Sequence, residues 1–258
     1  MGQDRLTERS YWDDHWERIT LPAEVSRLDG TPLIAAEIDI FERFLPRRSL
    51  SILEIGGAPG QYLAYFYRHF GYTVSSLDYS PSGCEKTREN FKLLNIPGTV
   101  YQQDLFGDLS HLPQFDVVYS MGLVEHFEEL SGVVGKHVEL LRPGGLLVIG
   151  MPNLRGINRF FLERLAPDML GNHNLDSMVV ANWKGFEDEF KLEKLFKGYV
   201  GGFEPMTFMV EEAEGKQVTR FAARMLNGLF HRRIKLFRKF NAPFFSGYIM
   251  GVYRKPAQ

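Results

Sequence analysis

The stretch Ser51-Ile52-Leu53-Glu54-Ile55-Gly56-Gly57-Ala58-Pro59-Gly60, followed by Gln61-Tyr62-Leu63-Ala64-Tyr65-Phe66, decides the fold. A short aliphatic strand reaches an acidic residue, breaks into a glycine-rich turn and restarts as a helix. That order puts backbone N–H groups and open space at the carboxyl end of a strand, where α/β sheets bind nucleotide-like ligands.

Outward from this unit the chain alternates. The pattern predicts strand 50–55, helix 60–70, strand 73–77, helix 81–94, strand 98–103, strand 115–120, helix 131–141 and strand 145–151. Strands alternating with helical lengths require right-handed crossovers and a parallel, doubly wound sheet. Before it, residues 1–47 read as helices broken around Leu21-Pro22. An aromatic run, Tyr11-Trp12-Asp13-Asp14-His15-Trp16, precedes a second helical stretch over Pro32 to Leu45. After it, an insertion from Pro152 to about Lys197 is rich in Asn, Gly and aromatics and accommodates two short helices. A strand over 200–210, a basic helix over 217–239 and a strand over 245–253 close the chain, suggesting an antiparallel pair at the sheet edge.

Composition sets the class. The 258 residues are 44% hydrophobic and 24% charged, as in an ordinary globular domain large enough to bury a core. No apolar run approaches a membrane span, and the start shows neither a signal-peptide core nor a complete myristoylation pattern, since Leu6 stands where Ser or Thr is needed. The one cysteine, Cys84, excludes an internal disulfide and a multi-cysteine metal site, which fits a reducing cytoplasm. The net charge of −2 hides a division: no Asp or Glu follows Glu214, whereas Lys216 to Lys255 holds 10 of the 30 basic residues. The tail therefore has two readings, contact with an anionic partner or a solvated basic face beside an acidic body.

Asp78, in Ser76-Leu77-Asp78-Tyr79-Ser80, lies 24 positions after Glu54, near the spacing at which a carboxylate accepts from ribose hydroxyls. The remaining signals are Gln103-Asp104-Leu105-Phe106, the strand Phe115-Asp116-Val117-Val118-Tyr119-Ser120 running into Met121-Gly122-Leu123-Val124-Glu125-His126-Phe127, and Leu141-Arg142-Pro143-Gly144-Gly145-Leu146. A dinucleotide dehydrogenase is the competitor. Gly56-Gly57-Ala58-Pro59-Gly60 lacks the G-x-G-x-x-G spacing, and that family does not explain the later signals.

Together these motifs resemble the class I S-adenosylmethionine-dependent methyltransferases, in particular the small-molecule and glycan-modifying branch of methyltransferase type 11/12, strongly over 48–151 and more loosely over the final strands. The resemblance implies a Rossmann-like, doubly wound seven-stranded α/β sheet ending in an antiparallel strand pair, all one domain. Its parts would be a helical lid (1–47), a cofactor-binding core (48–151), an acceptor-shaping insertion (152–199) and a terminal strand-helix-strand unit (200–258). It implies S-adenosylmethionine as cofactor and S-adenosylhomocysteine as product. Gly56 and Gly60, with Glu54 and Gly57, would sit against the cofactor's amino-acid portion. Asp78 and Tyr79 would bind the ribose side, Asp104 the adenine amino group and Leu105 the ring, while Ser120, Met121 and Gly122 would line the methionine side. Glu125 and His126 would begin the next helix near the reacting face.

By the same resemblance, His173, in Gly171-Asn172-His173-Asn174, lies where relatives place acceptor-binding residues and is the candidate base, with His126 as the other candidate or as a structural support of the loop. Asn153 is a candidate orienting group, and Tyr11, Trp12 and Trp16 either form a lid or pack on the core. No metal-ligand spacing stands out, and Glu125, Glu128 and Glu129 read as a solvated acidic surface, so no metal is expected. The acceptor expected is an oxygen on a small metabolite, sugar or lipid-linked glycan. The alternatives are nitrogen, or cofactor binding without catalysis in a partner subunit. Phe221, Met225 and Leu229 give the basic helix an apolar face suited to packing on the sheet, or to resting its positive end on an anionic membrane or acceptor. Nucleic acid lacks a recognisable appendage. The expected location is cytoplasmic, with a peripheral membrane position as the extension.

Overall fold

Alternating apolar side chains along each central strand serve both faces of one sheet, and this places the core on two sides. The computed structural model describes residues 5–27, 32–204, 221, 225 and 240–257. Helices α1 (Arg9–Glu17) and α2 (Pro32–Phe44) precede β1 (Ser51–Ile55), α3 (Gln61–Phe70), β2 (Thr73–Asp78), α4 (Pro81–Leu94), β3 (Thr99–Gln102) and β4 (Phe115–Met121). A single 3-10 turn, Val124–His126, leads to α5 (Leu130–Glu139) and β5 (Leu141–Pro152). The insertion holds α6 (Ile157–Leu165), α7 (Asp168–Gly171), a 3-10 turn at Val180–Trp183 and α8 (Lys184–Glu189), before β6 (Glu193–Phe203) and β7 (Ser246–Arg254).

The seven strands run in the order β3-β2-β1-β4-β5-β7-β6. β1 to β5 pair in parallel, and β7 is antiparallel to both β5 and β6. This is the mixed sheet with a terminal antiparallel pair that the alternation predicts. On one face Leu53, Val118 and Ile149 pack with Val133 and Val134 of α5 and with Phe161, Trp183 and Phe186 of the insertion. On the other, Ile52, Val117 and Val148 meet Phe41 of α2, Leu63 and Phe66 of α3 and Phe91 of α4. The successive residues Ile52 and Leu53 thus fall in different cores, as the two-residue strand period demands.

Several expectations need correction. The strand expected over 200–210 lies at Glu193–Phe203, because its ladder with β7 runs from Glu193 opposite Arg254 to Phe203 opposite Ser246. Residues 205–210 lie outside the described residues. β5 starts at Leu141 and contains Pro143-Gly144-Gly145 as a bulge: Phe115 faces Leu141, yet Val117 already faces Leu146. Glu125 and His126 form a separate 3-10 turn and do not begin α5. The insertion carries three α-helices rather than two. Of the basic helix expected over 217–239, only Phe221 and Met225 are described; both are helical and exposed, so those two positions do not pack on the sheet. Among the described residues, no helix is long and apolar enough to cross a membrane.

Asp116 sits at the end of the sheet away from the glycine turn and ties three strands. Its Oδ2 accepts from the Ser51 N–H at 2.8 Å and from the Ser51 hydroxyl at 2.7 Å, and Arg142 donates to Oδ1 at 2.8 Å. Asp116→Ala would remove the acceptor for a strand-end amide, and we expect a loss of about 1–3 kcal/mol. The urea midpoint should fall while ligand affinity at the opposite end of the sheet stays unchanged.

Candidate active site

The cleft forms where the strand order reverses. β1 has β2 on one side and β4 on the other, so the loops leaving β1 and β4 diverge to opposite faces and open a crevice at their carboxyl ends. Gly56 and Gly57 make the turn after β1. Gly56 has φ +68°, and a Cβ on Gly57 would lie 2.0 Å from the Glu54 carboxyl carbon, so the turn folds over Glu54 only if that position is glycine.

Two adjoining cavities share Gly56 and Trp16 as walls. The first, of about 550 Å³, is lined by Ile55, Leu77, Asp78, Tyr79, Gln103, Leu105, Leu123, His126 and Phe127, and roofed by Arg5, Thr7, Trp12 and Trp16. The second, of about 660 Å³, is bounded by Glu54, Gly57, Ala58, Pro59, Tyr62, Met121 and Gly122, with His15 and Trp16 above.

The polar groups are few and desolvated. Asp78 is 4% exposed. Burial pushes its carboxyl up to about 6, against the pull of the Ser80 and Tyr79 amides, and the Ser80 N–H donates to Oδ1 at 2.8 Å. Ser80 is itself the cap of α4, accepting from the Gly83 N–H at 2.9 Å, so Asp78 is released from capping and lines the cavity. Burial raises Glu54 to about 8, opposed by the Tyr119 hydroxyl, and its Oε2 finds no partner.

α1 roofs the site. Trp12 stacks on Trp16 with ring centroids 5.6 Å apart and meets the His126 ring edge-on at 4.9 Å. Arg5 pairs with Asp104 and lies over the Tyr79 ring at 4.7 Å. The Ser80 hydroxyl donates to Asp13 at 2.6 Å, and the Leu6 N–H donates to the His126 carbonyl at 2.9 Å. The aromatic start therefore covers the cavities through Trp12 and Trp16, while Tyr11 is largely exposed.

The candidates divide clearly. Glu54, Gly56, Gly57, Asp78, Tyr79, Leu105, Met121 and Gly122 line the two cavities. Gly60 does not; it starts α3 with φ +77°, and a Cβ there would meet Phe91 at 3.1 Å. Ser120 is fully buried, its hydroxyl paired with His137 Nε2 at 2.9 Å, away from both cavities. Asp104 stands at the rim, held by Arg5 and by the Phe106 N–H at 3.0 Å, and is not part of either wall. Asn153 donates to the carbonyls of Pro243 and Ser246 and fastens β5 to the chain before β7, so it orients no ligand.

Glu125 is the largest departure: it is 1% exposed, not solvated, and burial raises its carboxyl to about 8. His126 and His173 lie with ring centroids 4.4 Å apart. Burial lowers both, His126 to about 3 with His173 adding to the effect, so both imidazoles are neutral. His126 walls the first cavity directly, whereas His173 stands behind it in the loop after α7. Sequence reasoning missed Arg5, Leu123, Phe127 and the burial of Glu125. No local signal marks these, although the apolar neighbours Leu123, Val124 and Phe127 hint that the turn is covered.

The donor set fits an aminoacyl nucleoside. Asp78 offers a carboxylate for vicinal hydroxyls, the free Oε2 of Glu54 can accept from a cationic donor such as an ammonium, and Leu77, Leu105 and Leu123 give apolar walls for a base.

The chain is similar in sequence and fold to known proteins. The chain is 27% identical over 163 residues to phosphoethanolamine N-methyltransferase 1 of Triticum aestivum, covering 57% of this chain and 30% of that protein. It is 29% identical over 143 residues to the ubiquinone biosynthesis O-methyltransferase of Methylobacterium nodulans, covering 53% of this chain and 57% of the relative. It thus spans less than two thirds of either. Among solved structures, coclaurine N-methyltransferase bound to N-methylheliamine and SAH superposes with a TM-score of 0.62 at 16% identity, over 98% of this chain and 84% of that one, a likeness of fold. The methyltransferase-domain family model matches residues 32–204, from α2 through the end of β6, and the chain belongs to that family of class I methyltransferases.

Proposed function

We propose that the chain transfers a methyl group from S-adenosylmethionine to an oxygen of a small metabolite, a sugar or a lipid-linked glycan, releasing S-adenosylhomocysteine. The observation that carries the oxygen reading is the pole formed by Glu125, His126 and His173, whose ligand-capable atoms lie within 4.8 Å of one another. A hydroxyl is a poor nucleophile until its proton is drawn away, whereas a neutral amine needs no such help. Two neutral imidazoles beside the cleft provide that pull.

When bound, S-adenosylmethionine supplies an electrophilic methyl on a sulfonium, so the protein's task is alignment, exclusion of water and handling of the acceptor proton. Asp78 would hold the ribose hydroxyls, Glu54 the ammonium, and Leu105 with Leu77 the base. Met121 and Gly122 would border the transferred group. Trp12 and Trp16 would act as a lid, latched by Arg5 on Asp104 and Asp13 on Ser80, that opens for entry and closes to exclude water. The basic stretch after Glu214 supports an acceptor that is anionic or attached to an anionic surface.

A nitrogen acceptor is the second reading, supported by the relatives that are N-methyltransferases. A partner subunit that binds the cofactor without turnover is the reading from another class.

Radiolabelled methyl transfer from S-adenosylmethionine into fractionated extract of the source cells tests the function. Label should appear with intact protein and not with Asp78→Ala, and its partition among lipid, aqueous and macromolecular fractions selects the acceptor class. Tight donor binding with no label in any fraction would favour the non-catalytic subunit. His173→Ala should lower kcat roughly 100-fold at saturating acceptor while leaving donor Kd within about twofold. An unchanged kcat would favour nitrogen.

Asp78 also predicts a pH dependence. Its carboxyl, raised to about 6 by burial, is ionised at pH 8 and protonated at pH 5, and only the ionised form accepts from both hydroxyls. Donor affinity should therefore weaken as pH falls through about 6. Asp78→Asn should remove the inflection near pH 6, leave the one that Glu54 contributes near pH 8, and raise Kd roughly 10- to 100-fold at pH 8, as expected for the loss of a charge-assisted hydrogen bond. Calorimetric titration across pH 5–8.5 checks both.

A further inference from the structure

We infer that Glu125, His126 and His173 form a binding site for one divalent transition-metal ion of the zinc class, between the carboxyl end of β4 and the loop after α7. The three side chains each bring one ligand-capable atom to within 4.8 Å of the others, and Glu125 and His126 are buried. A modest contraction closes such a set around an ion with bonds of about 2.0–2.2 Å.

The hydrogen bonds settle which atoms are free. His126 Nδ1 lies 3.0 Å from the Asn172 carbonyl, and His173 Nδ1 lies 2.6 Å from the Met169 carbonyl. A carbonyl only accepts, so both rings carry their proton on Nδ1 and expose the Nε2 lone pair. Among the described residues the hydrogen bonds of both rings run through Nδ1, and the Glu125 carboxyl bonds to no other residue. Three side chains able to ligate a metal thus gather at one place.

The surroundings are those of a prepared metal site. Imidazoles held through Nδ1–H by backbone carbonyls are the usual outer shell of histidine ligands, because that bond fixes tautomer and ring orientation. The backbone carrying the ligands is stitched together: the Asn174 N–H donates to the Glu125 carbonyl at 2.6 Å, and its side-chain amide donates to the carbonyls of Phe127 and Glu128 at 3.0 and 2.9 Å. Two imidazoles and one carboxylate suit zinc, cobalt, nickel or ferrous iron better than magnesium or calcium, which prefer all-oxygen shells. Three protein ligands leave a coordination position open. Glu125 Oε1 would stand 3.7 Å from a Cβ on Gly122, a residue of the second cavity, and His126 walls the first, so the ion would border both. An acceptor hydroxyl reaching the open position would release its proton to water more readily. That consequence rests on the oxygen reading, but metal binding itself does not.

The test uses the whole chain, dialysed against chelator and titrated with CoCl2 without donor or acceptor. We expect visible d–d absorption saturating at one cobalt per chain and displaced by ZnSO4. Glu125→Gln and His173→Ala should weaken binding at least roughly 100-fold, and His111→Ala, an exposed control, should not change it. Should a ligand variant fail to fold, the wild-type cobalt protein still decides. Its proton NMR spectrum should show two exchangeable, paramagnetically shifted Nδ1–H resonances, one for each imidazole. No saturable absorption, a different number of shifted N–H resonances, or equal affinity in folded Glu125→Gln and His173→Ala would each overturn the site. Failure of methyl transfer would leave the metal site standing, and failure of metal binding would leave the methyltransferase reading standing.

Discussion

The parallel pairing of β1 with both β2 and β4 is the constraint on which the rest depends. Its ladder sets Ile55 beside Leu77 and Glu54 beside Tyr119, which brings the carboxyl ends of three strands level with one another. A parallel strand cannot turn back directly, so each must be followed by a crossover, and the crossovers after β1 and β4 leave on opposite faces. The crevice between them is a consequence of topology. What the residues decide is its lining: Glu54 and Gly56 at the end of β1, Asp78 at the end of β2, and Met121 and Gly122 at the end of β4.

That lining is acidic, and burial makes the acidity costly. Asp78, Glu54 and Glu125 all have carboxyls raised by desolvation, so the folded protein holds protons that the unfolded chain would release. The sign follows from linkage: the cost is absent below the ordinary carboxylate range and grows as pH rises toward the raised values of about 6 and 8. The empty cleft is therefore less stable at neutral pH than in acid, and gains from ligands bearing hydroxyl donors or positive charge. The histidines complement this. Held neutral by burial, they offer lone pairs and add no charge that could satisfy Glu125.

Particular elements show how much was legible in the sequence. The β1 turn, the spacing to Asp78, α4 with its Ser80-Pro81 start and the antiparallel β7 follow from local pattern, and the observed elements lie at or within a few residues of their expected places. β6 lies earlier than the pattern predicts because Val200 to Val210 contains an apolar run, whereas the strand's position depends on how much of β7 is available to pair. Ser120 was expected to face the cofactor from its place in the motif. Its hydroxyl is instead taken by His137, 17 residues on, through a contact that no window of sequence displays.

By itself the sequence determined the order of strands and helices, the glycine turn over Glu54, the acidic residue at the end of β2 and the family to which these belong. Those properties lie in hydrophobic period, backbone permissiveness and short spacing, which act within a few turns of chain. Only the tertiary structure decided that Arg5 reaches Asp104, that Trp12 roofs the cleft, and that Glu125 is buried with His126 beside His173. These contacts join residues 47 to 114 positions apart. They depend on the paths of α1 and the insertion across the sheet, and side-chain identity alone does not specify those paths.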